Sequence, residues 1–189
     1  ILDDKVYARF IQHPAAVRNH HEYASGLLYH TITMADFAEL VSHFYNEEIQ
    51  CNPPVDRDLL LSGVLLHDVG KIVELSGPII AKYTKEGRLI GHISIMHSVI
   101  REKAKALGID NEKRILLEHM ILAHHGKQEF GSPVVPLTRE ALLLHMIDDM
   151  NAKMTIIDKA LEPIEEGEFT PKIYPLEERC FYKPIRKKK

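Results

Sequence analysis

The stretch Leu65-Leu66-His67-Asp68-Val69-Gly70-Lys71 decides the fold. It closes an apolar run that begins at Leu59, so its periodicity places the His-Asp pair in a buried helix. An imidazole and a carboxylate side by side are costly to bury for packing alone. A metal ion that takes a ring nitrogen and a carboxylate oxygen together offsets that cost. The pair has company: His30 lies upstream, and His92, His124-His125 and Asp148 follow downstream, each on a separate expected helix. The order H…HD…H…HH…D supplies enough ligands for two metals. His124 and His125 close their helix, where the negative end of the dipole favours a cation. Asp148 sits among Leu142, Leu143, Leu144, Met146 and Ile147, where an unpaired carboxylate is expensive. Asp149 reads as its solvated neighbour. Taken singly, a helical histidine is more often a core or surface residue than a ligand. The joint occurrence carries the inference.

Outward from this stretch the periodicity is helical nearly throughout, which predicts an all-α bundle. Helices are expected over residues 3–12, 19–44, 57–73 with Asp56 as N-cap, 92–107 closed by Gly108, 111–125 closed by Gly126, and from Thr138 to about Leu161. Ile79 to Ile90 breaks the pattern and predicts a small β-hairpin or flap. The organisation expected is a short helix and linker over 1–16, one helical domain over 17–164, and an irregular basic tail over 165–189.

The 189 residues suit one domain, long enough to bury a core without disulfides. A net charge of -3 argues against a protein that coats nucleic acid, though not against one that grips a few nucleotides. The exception is the C-terminus, where Lys183, Arg186, Lys187, Lys188 and Lys189 crowd together as a solvated tail that can also touch phosphates. Cys51 and Cys180 are far apart with no CxxC spacing, which fits a reduced, cytoplasmic setting. No signal peptide is visible and no apolar run is long enough for a bilayer, so no membrane role is expected. The opening Ile1 and the mid-protein character of Asp3-Asp4-Lys5 suggest a removed upstream segment.

The ligand order resembles that of the HD-domain superfamily of metal-dependent phosphohydrolases over nearly the whole chain. Longer strings narrow this. Gly26–Thr31 (GLLYHT), Asp58–Pro78 (DLLLSGVLLHDVGKIVELSGP), Tyr83–His92 (YTKEGRLIGH) and His124–Pro136 (HHGKQEFGSPVVP) resemble the YhaM-type 3′–5′ exoribonucleases, also described as the CMP-binding-factor family. The resemblance implies a first metal on His30, His67, Asp68 and Asp148. It implies a second on His92, His124 and His125, with Asp68 bridging the two. It favours Mn²⁺; imidazole and carboxylate ligands also suit Fe, Co, Ni or Zn. It further implies an N-terminal OB-type nucleic-acid-binding domain, expected to be missing from this chain.

The activity so implied is release of 5′-mononucleotides from 3′ ends of single-stranded RNA, with DNA as a further candidate. Two metals clamp the phosphodiester and activate a water. Asp68 and Lys71 are the catalytic candidates. Lys71 lies one turn after His67 on the same face, where it can neutralise a phosphate oxygen or simply form a salt bridge. Arg88 is a candidate phosphate contact on the flap, and the loop from Phe130 to Pro136 a candidate wall of the nucleotide pocket. His13, His20, His21, His43, His97, His119 and His145 read as structural, with His145 placed to support a ligand. A possible homo-oligomer stays open. Two other readings compete. One is a phosphohydrolase of small nucleotides or cyclic dinucleotides; the cyclic-di-GMP branch carries a G-Y-P signature where this chain reads E-L-S-G-P. The other is a non-catalytic nucleic-acid-binding replication factor.

Overall fold

The computed structural model describes residues 3–15, 24–77 and 81–186. Two compact units are present, Ile1–Asp149 and Met150–Lys189. The first is a helical bundle. Its elements are α1 (Asp4–Phe10), α2 (Gly26–His43) running into a π-helical turn (Phe44–Glu48), α3 (Arg57–Leu66), α4 (Lys71–Glu74), β1 (Leu75–Ser76), β2 (Lys82–Tyr83), α5 (Lys85–Ile90), α6 (His92–Ala106), α7 (Asn111–Ala123) and the start of α8 (Arg139–Leu161).

Short acidic or hydroxyl side chains start these helices by accepting from backbone N–H groups that have no partner in the first turn. Asp3 accepts from Lys5 and Val6, Asp56 from Leu59, Thr84 from Gly87, Asp110 from Glu112 and Lys113, and Thr138 from Ala141. Two apolar clusters hold the bundle. One joins α2, α3, α7 and α8 through Met34, Ala38, Leu60, Val64, Met120, Leu144 and Ile147. The other joins α1, α2, α6 and α7 through Phe10, Leu27, Met96, Ile100 and Ile121, with Val69 and Ile72 from the HD segment. The HD segment is therefore seated on the second core through Val69 and Ile72.

The all-α architecture expected from the periodicity is the architecture found. Two local expectations are corrected. The HD pair is not in mid-helix: α3 ends at Leu66, and residues 67–70 form turns, with Val69 N–H donating to Leu66 and Lys71 N–H to Asp68. The chain bends there because α6 comes in close; a β-carbon on Gly70 would collide with the His92 carbonyl. The expected hairpin is also displaced. Its strands are β1 and β2, paired antiparallel as Leu75 with Tyr83 and Ser76 with Lys82. Residues 85–90, expected as its second half, are helical because Thr84 caps them. Ile79 and Ile80 of that expectation lie outside the described residues, as do His20, His21 and Lys187–Lys189.

In the second unit α8 ends at Leu161. Two isolated antiparallel bridges, Phe169 with Tyr182 and Ile173 with Arg179, fold the following chain back on itself. Lys183 Nζ donates to the carbonyl of Ile164 at 2.6 Å, so it is not a free tail cation. No described helix is long and apolar enough to cross a membrane.

Candidate metal centre

Asp68 is the centre around which the histidines gather. It is 3% exposed, and its two oxygens face different neighbours. Oδ2 lies 3.3 Å from His67 Nε2 and 3.7 Å from His30 Nε2. Oδ1 lies 3.5 Å from His92 Nε2 and 3.9 Å from His124 Nε2. His30 Nε2 is also 3.2 Å from Asp148 Oδ1. Two sets could each hold a metal ion: His30, His67 and Asp68, and His92, His124 and His125. The elements that deliver them are α2 for His30, the break after α3 for His67 and Asp68, the first residue of α6 for His92, the end of α7 for His124 and His125, and α8 for Asp148. All seven residues singled out as ligands are brought together.

The far ring nitrogens are held by the protein, which decides where the near ones point. Nδ1 of His67 lies 2.8 Å from the carbonyl of Val64, Nδ1 of His124 2.7 Å from that of Ile121, and Nδ1 of His125 2.8 Å from that of Phe130. A carbonyl only accepts, so each Nδ1 carries a proton, and in the neutral ring each Nε2 keeps its lone pair. His145 joins the same frame: its Nδ1 donates to the His124 carbonyl at 3.0 Å, and its ring packs on Gly126.

Glu74 was not anticipated. Its Oε1 accepts from Nδ1 of His92 and from the His92 backbone N–H, each at 3.0 Å. A buried carboxylate behind a histidine fixes its ring and raises its basicity towards a metal. The only trace in the sequence is the glutamate three residues after Lys71, and its reach to His92 depends on the bend at Gly70.

Burial and charge act in opposition here. Burial would raise the Asp68 carboxyl, but Lys71, His67 and His92 hold it well below the usual carboxylate range. Burial likewise opposes ionisation of Asp148, and the hydrogen bond from His30 with the charge of His67 overcomes it. His124 is pushed well down by burial and by its neighbours His125 and His67. His125 is lowered by burial and His92. Burial lowers His67, yet the adjoining Asp68 carboxylate outweighs it and raises the ring above its ordinary value. His124 and His125 are therefore neutral at neutral pH, as metal coordination would require.

The cluster has a deficit that no protein group among the described residues fills. His67 Nε2, His92 Nε2, His124 Nε2 and Asp68 Oδ1 are buried without a hydrogen-bond partner. Orphaned buried polar atoms are rare and costly, and four converge on one space. All are acceptors when the rings carry their protons on Nδ1, so a cation satisfies them together. The donor set fits a divalent metal of borderline or hard character.

Lys71 lies at the cluster, with Nζ 2.7 Å from Asp68 Oδ2. Arg88 lies on α5, exposed, and is not one of the residues of the two candidate metal groups. His97 pairs with Glu118 at 3.4 Å, and His119 accepts from the Leu137 N–H at 2.9 Å, both away from the ligands.

Residues 27–153 match the HD domain family model. The chain is 51% identical over 181 residues to the 3′-5′ exoribonuclease YhaM of Geobacillus sp. (strain WCH70), covering 96% of this chain and 54% of that protein. It is 49% identical over 183 residues to the 3′-5′ exoribonuclease YhaM of Bacillus subtilis (strain 168), covering 97% and 56%. A protein of the same description from Bacillus pumilus (strain SAFR-032) is 51% identical over 175 residues. The chain spans about half the length of these relatives. No solved structure matches it.

Proposed function

The chain belongs to the HD-domain family, and from that premise we propose that it is a metal-dependent phosphodiesterase that removes 5′-mononucleotides from the 3′ end of single-stranded RNA. The observation that carries this is the set of four unpartnered buried acceptors around Asp68. The polymer and the direction of cleavage rest on the relatives, whose printed description is 3′-5′ exoribonuclease. DNA 3′ ends are a second polymer for the same chemistry, and a reduced cytoplasmic setting suits the two free cysteines.

His30, His67, Asp68 and Asp148 would hold one divalent ion, and His92, His124 and His125 another, with Asp68 shared. Such ions, Mn²⁺ foremost, activate a water as nucleophile and neutralise phosphate charge. Asp68 orients both halves because each of its oxygens faces a different histidine pair. Glu74, Val64, Ile121 and Phe130 keep the ring protons on Nδ1, so the imidazoles meet the metal as neutral ligands. Lys71 holds Asp68 ionised and stands close enough to the cluster to meet a non-bridging phosphate oxygen. Arg88, exposed on α5, is assigned to a more distant backbone phosphate.

The test is an oligoribonucleotide labelled at its 5′ end, incubated with the protein and Mn²⁺, with Asp68→Ala as background. A ladder shortening one nucleotide at a time, lost with EDTA and in the variant, is expected. An intact oligomer alongside hydrolysis of a cyclic dinucleotide would overturn the substrate; no hydrolysis of any phosphodiester by metal-loaded protein would overturn the activity.

A further inference from the structure

The 3₁₀ turn Gln128–Phe130 is tied to the metal cluster by its backbone and yet presents its side chains to solvent. The Phe130 carbonyl accepts from Nδ1 of His125 at 2.8 Å, so this aromatic residue is anchored to a proposed ligand. The turn is closed by Phe130 N–H to Lys127 at 3.1 Å and Ser132 N–H to Lys127 at 3.2 Å. Gly131 takes φ +96°, a conformation that side chains rarely adopt, and so fixes where the chain turns back.

Phe130 is 58% exposed. Scattered exposed apolar residues are ordinary, and exposure alone carries nothing. The anchor to His125 is what sets Phe130 apart. Lys127 lies beside it, with Nζ 5.3 Å from the ring centroid. Its partner is Glu129 at 3.3 Å, both side chains exposed. Such a surface pair is worth little and is readily exchanged for a stronger anion. An aromatic face and a cation are the two elements by which proteins hold a single strand, one for a base and one for the backbone.

We propose that Phe130 and Lys127 form the subsite for the nucleotide at the 3′ end of the substrate, the ring stacking on its base and the ammonium meeting the adjoining backbone phosphate. This rests on the phosphodiesterase reading above and adds the grip on the polymer. Every base has a π-face, so the subsite accepts all four.

The test compares two oligoribonucleotides of equal length, one ending in an ordinary nucleotide and one whose terminal sugar carries no base. Phe130→Ala should raise KM for the ordinary end roughly tenfold and leave KM for the baseless end unchanged, and Phe130→Trp should restore it. Lys127→Gln should lower the slope of log KM against log salt by about 0.7, the value of one phosphate contact on a single strand. Metal content measured on each variant should equal that of the parent, which separates the subsite from the cluster. The same KM change on both oligomers, or none, overturns the proposal. If the parent protein hydrolyses neither, the phosphodiesterase reading falls on its own. Fluorescence anisotropy with Ca²⁺-loaded protein then still reads the subsite: a preference for the base-bearing end that Phe130→Ala abolishes supports it, and equal affinities overturn it.

Discussion

Asp68 and Glu118 are both buried carboxylates, 3% and 4% exposed, and both are held ionised by neighbouring cations. They differ in how completely they are satisfied. Glu118 accepts from Arg101 Nη2 at 2.8 Å and Nε at 3.2 Å, and from Arg114 Nη1 at 2.5 Å, so both of its oxygens are bonded. Asp68 receives Lys71 on Oδ2, while Oδ1 is left without a hydrogen bond among three imidazole nitrogens in the same condition. A structural ion cluster closes on itself. The Asp68 cluster stays open by four acceptors, and that opening separates a site built for a ligand from one built for stability.

The contrast is broken most severely at Asp68 itself. Asp68→Ala removes the group that faces both histidine sets, so metal content measured by elemental analysis should fall to near zero. Phosphodiester hydrolysis should drop on the order of a thousandfold or more. Retention of a full metal complement in this variant would mean that Asp68 bridges nothing. His92→Ala should be gentler, losing one metal equivalent while His30, His67, Asp68 and Asp148 keep the other. Equal losses in the two variants would contradict that partition. Glu74→Gln keeps an acceptor near His92 Nδ1 but removes its charge, and should weaken binding of the metal held by His92 about tenfold by calorimetric titration. An unchanged affinity would reduce Glu74 to a helix-packing residue.

The seven candidate ligands were singled out by their joint occurrence, and three of them stand where they are expensive. Asp148 lies in an apolar helix face and His67-Asp68 in an apolar run, and neither placement is explained by packing. The all-α fold was legible for a different reason, because its apolar positions recur at helical spacing. What escaped depended on contacts across the chain. Glu74 carried no role in the sequence reading, and in the structure its Oε1 meets His92 Nδ1 at 3.0 Å. Lys85–Ile90 looked like half a hairpin because Gly87 interrupts a short stretch with little helical period. In the structure Gly87 is required by close approach, as a β-carbon there would strike the Glu74 backbone. The strand partner of Tyr83, Leu75, lies outside the 79–90 stretch in which the hairpin was expected.

The smallest effect falls at the closed cluster, where a variant should alter stability and leave the metals alone. Hydrogen bonds from Arg101 outweigh burial and, with Arg114, hold the Glu118 carboxyl at about 2 instead of its ordinary 4.5. The unfolded chain therefore takes up a proton on this residue at higher pH than the folded protein does. Its contribution is fully present above about pH 4.5 and is lost as the pH falls towards 2. Glu118→Gln should cost on the order of 2 kcal/mol at neutral pH in urea denaturation. The stability curves of the variant and the parent should converge below pH 4, because protonation removes from the parent what the substitution removes from the variant. Metal content should be the same in both. His97, 3.4 Å from Glu118, is the one other titratable ring against this carboxylate among the described residues. A difference that persists undiminished at pH 3 would show that Glu118 acts by packing and not by charge, and the two carboxylates would then differ in more than how fully they are paired.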